Sequence, residues 1–414
     1  PMIVLRRLRR CILLLWILVA SCAPVTDSYQ PPAPLGSSFA PIVRIRLLES
    51  QSQVTLSSTF DCWLIRDGAS QRISLYAVPI SLSQGTWHLG DRLIAGGDIL
   101  LRPANDAVIS VNSHPYRGDI RLVPVASDHF DVINVVDIDS YLQGVLSAEL
   151  YPHWLPETYE AQAIVARTYA LYVARVDGTS RYWDLYPDQR SQMYGGLAAE
   201  TTRSRQAVAA TRGLVLTYGP PPGKLFEAYF SSCCGGVTQT AALVFPGAPD
   251  IPPLQAQFTG NLCSASPNFN WPPVTIPKVE LARRIRLWGM RQTPIRPEAS
   301  LGAIVRVDLE AVNRFGRPAR FSVTDDRGLR YIMNAEEFRD AVNTDAAPGT
   351  TLKSSFCKVD GDPSRSDVLF YDGHGSGHGV GMCQWCAEAR AELGWSHQGI
   401  LAAAFPQSRL VKAY

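Results

Sequence analysis

The stretch from Tyr141 to Tyr172, YLQGVLSAELYPHWLPETYEAQAIVARTYALY, contains the clearest change of periodicity in the 414-residue chain. Apolar residues recur every three or four positions from Tyr141 to Leu150, which predicts a helix capped by Asp139 or Ser140. After a break at YPHW the same spacing resumes, with a proline in the first turn, where helices tolerate it. The stretch therefore predicts two consecutive helices, and the chain on either side of them differs in pattern.

Short alternating or β-branched runs, such as IVRIRLL and RISLYAV, fill residues 42–138 and predict a β-rich N-terminal domain. Residues 139–414 mix the two patterns. They contain a third predicted helix near 200–212, strands at LVLTY and KLFEAYFSS, three strands between 304 and 333, and a C-terminal helix near 382–393. We expect an α+β fold in which a β-rich N-terminal part precedes a mixed core.

The first 21 residues are typical of an export signal. Four arginines precede an apolar run at 11–20 that is too short to cross about 30 Å of hydrocarbon. The run ends in VASC, which predicts lipidation of Cys22; the alternative is an ordinary cleavage site beside an incidental cysteine. Residues 22–41 are rich in proline and suit a tether. We expect an exported protein, anchored to the membrane by its lipid and facing the periplasm or cell wall.

The composition and the missing motifs exclude several functional classes. A hydrophobic content of 46% and a net charge of +2 are unlike a disordered chain or a nucleic-acid binder that depends on bulk positive charge. The chain has no HExxH, GxSxG or Rossmann fingerprint. The GPPPGK run at 219–224 has three prolines, which cannot donate backbone N–H groups to a phosphate. Hydride and phosphoryl transfer are therefore not favoured.

Four segments occur in an order that resembles one known family. They are the two-helix stretch at 141–172, DQRSQMYGG at 188–196, AYFSSCCGG at 228–236 and GHGSGHGVGMCQWCA at 373–387. Each matches a motif of the SpoIID/LytB family of bacterial cell-wall proteins, including its AQA-x-x-ARTYA helix and its GHGVGM-x-Q-x-x-A signature. The resemblance covers residues 42–414 and implies that peptidoglycan is the substrate.

The residue that matches the family's catalytic acid is Glu149. A carboxyl near the end of an apolar helix, beside Tyr151 and Trp154, is expected to be desolvated and protonated near neutral pH. Glycoside hydrolases generally need two carboxyl groups. A lytic transglycosylase needs one, because the 6-hydroxyl of muramic acid is the nucleophile and leaves a 1,6-anhydro end. Without the resemblance, Glu149 would be read as a surface glutamate.

Further segments are expected to supply substrate-binding groups around Glu149. Amide, guanidinium and phenol donors suit sugar hydroxyls and acyl groups. In the glycine run at 373–381, alternate glycines predict positive φ or close approach to another segment. An alternative for Arg167 and Tyr169 is that they bridge helices in the core. The predicted substrate-binding residues are Gln162, Arg167, Tyr169, Gln192, Tyr194, Gly235, Gly236, His378 and Gln384.

Seven cysteines remain once the export signal and Cys22 are set aside, so at least one is unpaired or bound to a metal. Disulfides in an oxidising compartment and a zinc ion held by thiolates are both compatible with the sequence. We expect disulfides, with zinc as the alternative and no cofactor required. The candidate metal ligands are Cys233, Cys234, Cys263, Cys383 and Cys386.

Two functions remain. The first is a peptidoglycan lytic transglycosylase that uses Glu149, and the alternative is a non-catalytic enhancer of an N-acetylmuramoyl-L-alanine amidase. The expected partners are glycan strands, a cell-wall amidase and the membrane, and no nucleic acid.

Overall fold

The computed structural model describes residues 40–105, 107–176 and 181–414. The predicted export signal, the lipidation site Cys22 and nearly all of the tether lie outside these residues. Helices and strands are both abundant, and the predicted α+β class with a β-rich N-terminal part is confirmed. Within the described ranges, no helix has the length and apolar character needed to span a membrane.

Residues 42–137 form two six-stranded sheets. The strands are β1 (Ile42–Gln51), β2 (Gln53–Ser58), β3 (Cys62–Arg66), β4 (Ala69–Ile73), β5 (Val78–Ser83), β6 (Thr86–Leu89), β7 (Arg92–Ala95), β8 (Ile99–Pro103), β9 (Ile109–Val111), β10 (His114–Tyr116), β11 (Asp119–Pro124) and β12 (Phe130–Asp137). One sheet has the order β1-β12-β11-β8-β3-β4, and the other has the order β10-β9-β2-β5-β6-β7.

The two sheets pack as a sandwich because alternate side chains of each point into a shared core. In β1, Val43, Ile45 and Leu47 are buried while the residues between them are more exposed. Trp87 of one sheet meets Phe130 of the other edge to face, with ring centroids 4.9 Å apart. The apolar residues that alternate in the sequence of these strands are thus the ones that are buried between the sheets.

The helices begin where the last strand of the sandwich ends. They are α1 (Ile138–Glu149), α2 (Pro156–Val176), α3 (Thr202–Ala210), α4 (Ala241–Val244), α5 (Lys278–Arg291), α6 (Ala335–Asn343), α7 (Gln384–Glu392) and α8 (His397–Ala404). The cap of α1 is Asp137, whose carboxylate accepts a hydrogen bond from the backbone N–H of Ser140. The predicted caps, Asp139 and Ser140, are therefore wrong by about half a turn and lie inside the helix.

The remaining strands form small sheets around these helices. They are β13 (Leu214–Thr217), β14 (Phe230–Ser231), β15 (Asn270–Trp271), β16 (Val274–Pro277), β17 (Ile304–Val312), β18 (Pro318–Asp325), β19 (Arg330–Asn334), β20 (Lys358–Asp360), β21 (Asp367–Tyr371), β22 (Gly373–His374), β23 (Met382–Cys383) and β24 (Arg409–Lys412). The predicted strand KLFEAYFSS is mostly irregular. It changes partner along its length, from Tyr218 at Lys224 to β23 at Phe230.

Gly144 lets α1 lie close to the turn at Gly196–Ala199. A Cβ at Gly144 would stand 2.7 Å from the carbonyl oxygen of Gly196 and 2.8 Å from Cε2 of Tyr194. Helix propensity alone would favour alanine at this position by about 1 kcal/mol. The tertiary contact therefore outweighs the local preference, because real Cβ atoms do not approach backbone so closely.

We expect Gly144→Ala to destabilise the protein by about 1–3 kcal/mol, as overpacking does. Gly399→Ala in α8 is the matched control, since its Cβ would meet nothing closer than Trp395 at 3.4 Å. The control should be neutral or stabilising by up to about 1 kcal/mol. Urea unfolding of both variants measures the two values. Equal stabilities for the two would contradict the packing argument.

Candidate functional site

Glu149 is the last residue of α1, and two groups from distant segments hold its carboxylate. The backbone N–H of Met193 donates to Oε1 at 2.9 Å, and Nε2 of Gln384 donates to Oε2 at 3.3 Å. These contacts bring together residues 44 and 235 positions away in sequence. The structure thus places Gln384, one of the predicted substrate-binding residues, in contact with Glu149.

The environment of Glu149 is apolar on one side. Tyr151, which is 45% exposed, packs against Trp154 and Trp385 with ring centroids 5.2 and 5.6 Å away. Trp385 directly follows Gln384 in α7, so the aromatic cluster joins residues that are close in sequence to Glu149 and to Gln384. Desolvation raises the pKa of Glu149, against the opposing effect of the hydrogen bonds from Met193 and Gln384. The expected direction of the pKa shift is confirmed.

Gln192 and Tyr194, predicted to bind substrate, instead support the loop that carries Met193. The amide of Gln192 is buried, accepting from the hydroxyl of Tyr141 and donating to a backbone carbonyl of α2. The hydroxyl of Tyr194 donates to Asn134 of β12 at 2.9 Å. The polar groups of both side chains are hydrogen-bonded within the protein, where they hold the loop in place. The group that reaches Glu149 is a backbone N–H, which no side-chain motif reveals.

The predicted substrate-binding role of Arg167 is corrected for the same reason. Its side chain is 0% exposed. It donates to the hydroxyl of Tyr414 at 3.0 Å, to the carbonyls of Thr211 and Leu214, and to Asp139 at 3.1 Å. A guanidinium whose donors are bonded in this way has no access to a sugar. The alternative prediction, a core residue that bridges helices, describes it.

Tyr169 is nearly buried, and its ring lies 6.3 Å from that of Tyr229. The pKa of Tyr141 is raised mainly by burial, with smaller contributions from Tyr169 and Glu149. Tyr169 therefore lies close to Tyr141 of α1 and to Tyr229. The predicted contact between Tyr169 and a sugar stays a prediction.

Gln162 is 0% exposed, and neither its amide nitrogen nor its amide oxygen has a hydrogen-bond partner among the described residues. A buried amide without partners is costly, by roughly 1–3 kcal/mol for each group. It lies one turn before Ala166, whose carbonyl accepts from Gln192 at 3.2 Å. Gln162 is thus a buried donor and acceptor on the helix that packs behind the candidate acid.

Gly235 and Gly236 form a tight buried turn and are not open to a ligand. Their φ angles are +67° and +97°, a region that favours glycine. A Cβ at Gly235 would lie 2.7 Å from the Cβ of His374, so this turn packs against the glycine run. The predicted substrate contact is corrected, because the close approach is to the protein's own backbone.

The glycine run at 373–381 has the positive φ angles that its sequence predicts, at Gly375, Gly377, Gly379 and Gly381. The fully buried guanidinium of Arg317 packs against this run, where a Cβ at Gly379 would clash with it. It donates to the carbonyls of Cys234 and Val237 at 2.8 Å and to that of His378 at 3.1 Å. Arg317 therefore joins the glycine run to the turn at residues 233–236, which we call the CCGG turn. No sequence motif predicted this role of Arg317.

His378 lies between the rings of Tyr229 and Phe245, and no hydrogen bond among the described residues joins it to Glu149. Its ring lies 5.2 Å from that of Phe245, and its Nδ1 accepts from the backbone N–H of Val380 at 3.0 Å. Desolvation lowers the pKa of His378 to about 4. The histidine is therefore neutral at physiological pH, and its Nδ1 is occupied by its own loop. The predicted contact between His378 and substrate stays a prediction.

Four of the five candidate metal ligands meet in one buried cluster. The sulfurs of Cys234, Cys263, Cys383 and Cys386 all lie within 4.8 Å of one another. The sulfur of Cys234 is 3.6 Å from that of Cys263 and 3.7 Å from that of Cys386. Cys233 packs beside the cluster with its sulfur directed at the carbonyl of Cys263. We call the four sulfurs the thiol tetrad.

The dimensions of the thiol tetrad fit zinc better than disulfides. A bonded pair of sulfurs is about 2.05 Å apart, and the described cysteines are all free thiols. A tetrahedral zinc with Zn–S bonds of about 2.3 Å requires sulfur pairs about 3.8 Å apart. The distances from the sulfur of Cys234 to those of Cys263 and Cys386, 3.6 and 3.7 Å, are close to that value. The expectation of disulfides at these positions is therefore not met in the structure.

Taken together, the fold and the site define a class: an α+β protein with one desolvated, hydrogen-bonded carboxyl at a helix end, followed in the chain by the exposed aromatic ring of Tyr151. A profile of the family described as Stage II sporulation protein (SpoIID) matches residues 126–218, which include α1, α2 and the loop of Met193. Together with the relatives below, this match supports assignment of the chain to the SpoIID/LytB family.

Three relatives show the extent of the similarity. An uncharacterized protein of Brachyspira hyodysenteriae is 28% identical over 294 residues, covering 70% of this chain and 71% of that protein. The amidase enhancer of Bacillus subtilis is 26% identical, covering 65% of this chain and 40% of its own length. Stage II sporulation protein D of Bacillus amyloliquefaciens is 30% identical over 148 residues, covering 32% of this chain and 42% of that protein. The chain thus spans less than half of each Bacillus protein.

The raised pKa of Glu149 predicts how its substitution changes stability with pH. Because the folded state disfavours the charged form, wild-type stability is highest where the carboxyl is protonated in both states and falls as pH rises from about 4.5 toward the raised pKa. We expect the thermal stability of Glu149→Gln to increase relative to that of wild type as the pH rises above about 4.5. The exposed Glu392→Gln is the control, and equal pH trends for the two variants would contradict the desolvation of Glu149.

Proposed function

We propose that this protein is a peptidoglycan lytic transglycosylase in which Glu149 is the only catalytic acid and base. The SpoIID family match and the amidase-enhancer relative support a role at the cell wall. The observation that carries the finer proposal is the desolvated carboxyl of Glu149, held by Met193 and Gln384. A raised pKa keeps the carboxyl protonated to higher pH than an exposed glutamate, which suits a proton donor.

The proposed reaction has two proton transfers. The Glu149 carboxyl first protonates the oxygen of the glycosidic bond, which breaks with departure of the alcohol from C1. The resulting carboxylate then accepts the proton of the muramic 6-hydroxyl, whose oxygen bonds to C1 and closes the 1,6-anhydro ring. The nucleophile belongs to the same sugar, so no water need be activated. Atoms balance without any co-reactant.

A single carboxylate is sufficient for this reaction and insufficient for an ordinary hydrolase. Within the described chain, the interactions of Glu149 include none with a second carboxylate. Its two hydrogen bonds come from an amide nitrogen and a backbone N–H. This arrangement favours intramolecular attack over hydrolysis. The exposed ring of Tyr151 supplies an apolar surface beside the acid on which a sugar ring can lie.

Digestion of peptide-free glycan strands tests the proposal. Wild type should release products with 1,6-anhydromuramic ends, detected by mass spectrometry. Glu149→Gln should reduce their rate by at least about 10³-fold, as expected from removal of a proton donor and base. Glu392→Gln, at the exposed end of the neighbouring helix α7, is the control and should retain wild-type activity. Reducing ends in place of anhydro ends, or no products from wild type, would refute the transglycosylase assignment.

The second candidate is a non-catalytic enhancer of a cell-wall amidase. The alignment with the amidase enhancer of Bacillus subtilis, which covers 65% of this chain, favours it specifically. Under this proposal Glu149→Gln leaves amidase stimulation intact, since no bond is broken at Glu149. Release of stem peptides by an amidase, measured with wild type and with Glu149→Gln, therefore separates the two functions. In either case we propose an exported protein held to the membrane through a lipid on Cys22.

We further propose that the thiol tetrad binds one structural zinc ion. Four thiolates would close its coordination, so the ion would supply stability and no open position for substrate. The ligands come from the CCGG turn, the loop at Cys263 and the start of α7, where Cys383 is also the N-cap. The ion would therefore fix the position of Gln384, which follows Cys383 and reaches Glu149.

Elemental analysis of the purified protein should find about one zinc per chain. Cys386→Ser should lose the zinc and lower the unfolding temperature, because a structural site contributes its binding free energy to folding. Cys357→Ser is the control: Cys357 is buried but lies outside the tetrad, so the zinc content should stay at wild-type level. Zinc-free protein with oxidised cysteines, found by thiol counting in denaturant, would show that disulfides form instead.

A further inference from the structure

A concave surface lies in the β-sandwich, in a part of the chain that precedes the family match. It is a cleft of about 300 Å³ at the point where β5 separates from β2. The two strands pair as far as Leu56 and Val78. Beyond that pair the β4–β5 loop is held by a hydrogen bond from the N–H of Ser58 to the carbonyl of Leu75, at 2.7 Å. We call this surface the sandwich cleft.

The polar groups of the sandwich cleft are hydroxyls. Ser57 and Ser110 lie directly opposite each other on paired strands, and Thr59 follows them at the end of β2. In the described part of the chain, these three side chains have no hydrogen-bond partner in the protein. None of the lining residues is charged. Hydroxyls donate and accept equally, so the cleft matches a neutral ligand rich in hydroxyl and amide groups.

Tyr76 forms the exposed wall of the sandwich cleft. Its side chain is 73% exposed, although its neighbour Leu75 is only 1% exposed. The following residue, Ala77, has a φ of +52°, a left-handed conformation that is unfavourable for alanine. The loop thus buries one side chain, turns sharply and presents the next ring to solvent. Strained backbone that displays an aromatic ring is a feature of binding loops.

We propose that the sandwich cleft binds a sugar unit of a neutral N-acetylated glycan, with the ring of Tyr76 stacked on the pyranose face and the hydroxyls of Ser57, Thr59 and Ser110 bonded to its substituents. The choice of glycan rests on the proposed function at the cell wall. The cleft itself rests on the geometry alone. A second attachment to the same polymer raises the effective concentration of strands at Glu149.

Binding to purified sacculi tests this proposal with the intact protein, in a Glu149→Gln background so that no strand is cut. Tyr76→Ala should weaken binding about five- to tenfold, the loss expected for one stacked ring. Phe258→Ala is the matched control, because Phe258 is 71% exposed and lies outside the cleft. Ser57→Ala with Ser110→Ala should weaken binding as well, and tetra-N-acetylchitotetraose should compete with the sacculi.

Equal binding by the Tyr76→Ala and Phe258→Ala variants would overturn the proposal, as would competition by free stem peptides in place of the chito-oligosaccharide. Unfolding temperatures of all variants verify that the fold is intact. With Glu149 restored, Phe258→Ala should cleave short soluble strands at the wild-type rate. If the protein cleaves glycan strands but Tyr76→Ala binds sacculi as wild type does, only the proposed binding at the sandwich cleft is refuted. If Tyr76→Ala weakens binding but neither wild type nor any variant cleaves glycan, only the proposed transglycosylase activity is refuted.

Discussion

The hydrogen bonds of the buried Arg167 guanidinium are the constraint on which the site depends. A charged group in the core is tolerated only when its donors are bonded, because an unpaired one costs several kcal/mol. Arg167 meets that demand by joining α2 to the carbonyls after α3, to the C-terminal Tyr414 and to Asp139 in the first turn of α1. The direction of α1 is thereby fixed, and with it the position of Glu149 at the other end.

Arg317 has the same role in the C-terminal half of the chain. Its donors hold the CCGG turn against the glycine run, which places the four cysteines together and sets the start of α7. Gln384, the first residue of α7, then reaches Glu149 from one side while the N–H of Met193 reaches it from the other. Two buried arginines with no ligand contact of their own thus position the groups around the candidate acid.

Several of the predicted substrate-binding residues have structural roles for a common physical reason. Arg167, Gln192 and Tyr194 are polar residues in dense motifs, and sequence alone does not distinguish a polar group that binds a ligand from one that satisfies buried backbone. Their partners are mostly carbonyls and hydroxyls from segments 26 to 247 residues away. Gln384 donates to Glu149 in the structure, and the spacing of the C-terminal signature had singled it out, while its contact with substrate stays a prediction. Met193 was missed because its contribution is a backbone N–H.

The sequence by itself determined the α+β class, the alternating pattern of the sandwich strands, the two central helices, the candidate acid and the resemblance to the SpoIID/LytB family. These features depend on periodicity and on motif order, which are local properties of the chain. Only the tertiary structure decided that Gly144 is needed for close packing, that four cysteines converge with the spacing of a metal site, and that an uncharged cleft opens beside Tyr76. Such features arise from contacts between distant segments, whose geometry is set by the whole fold.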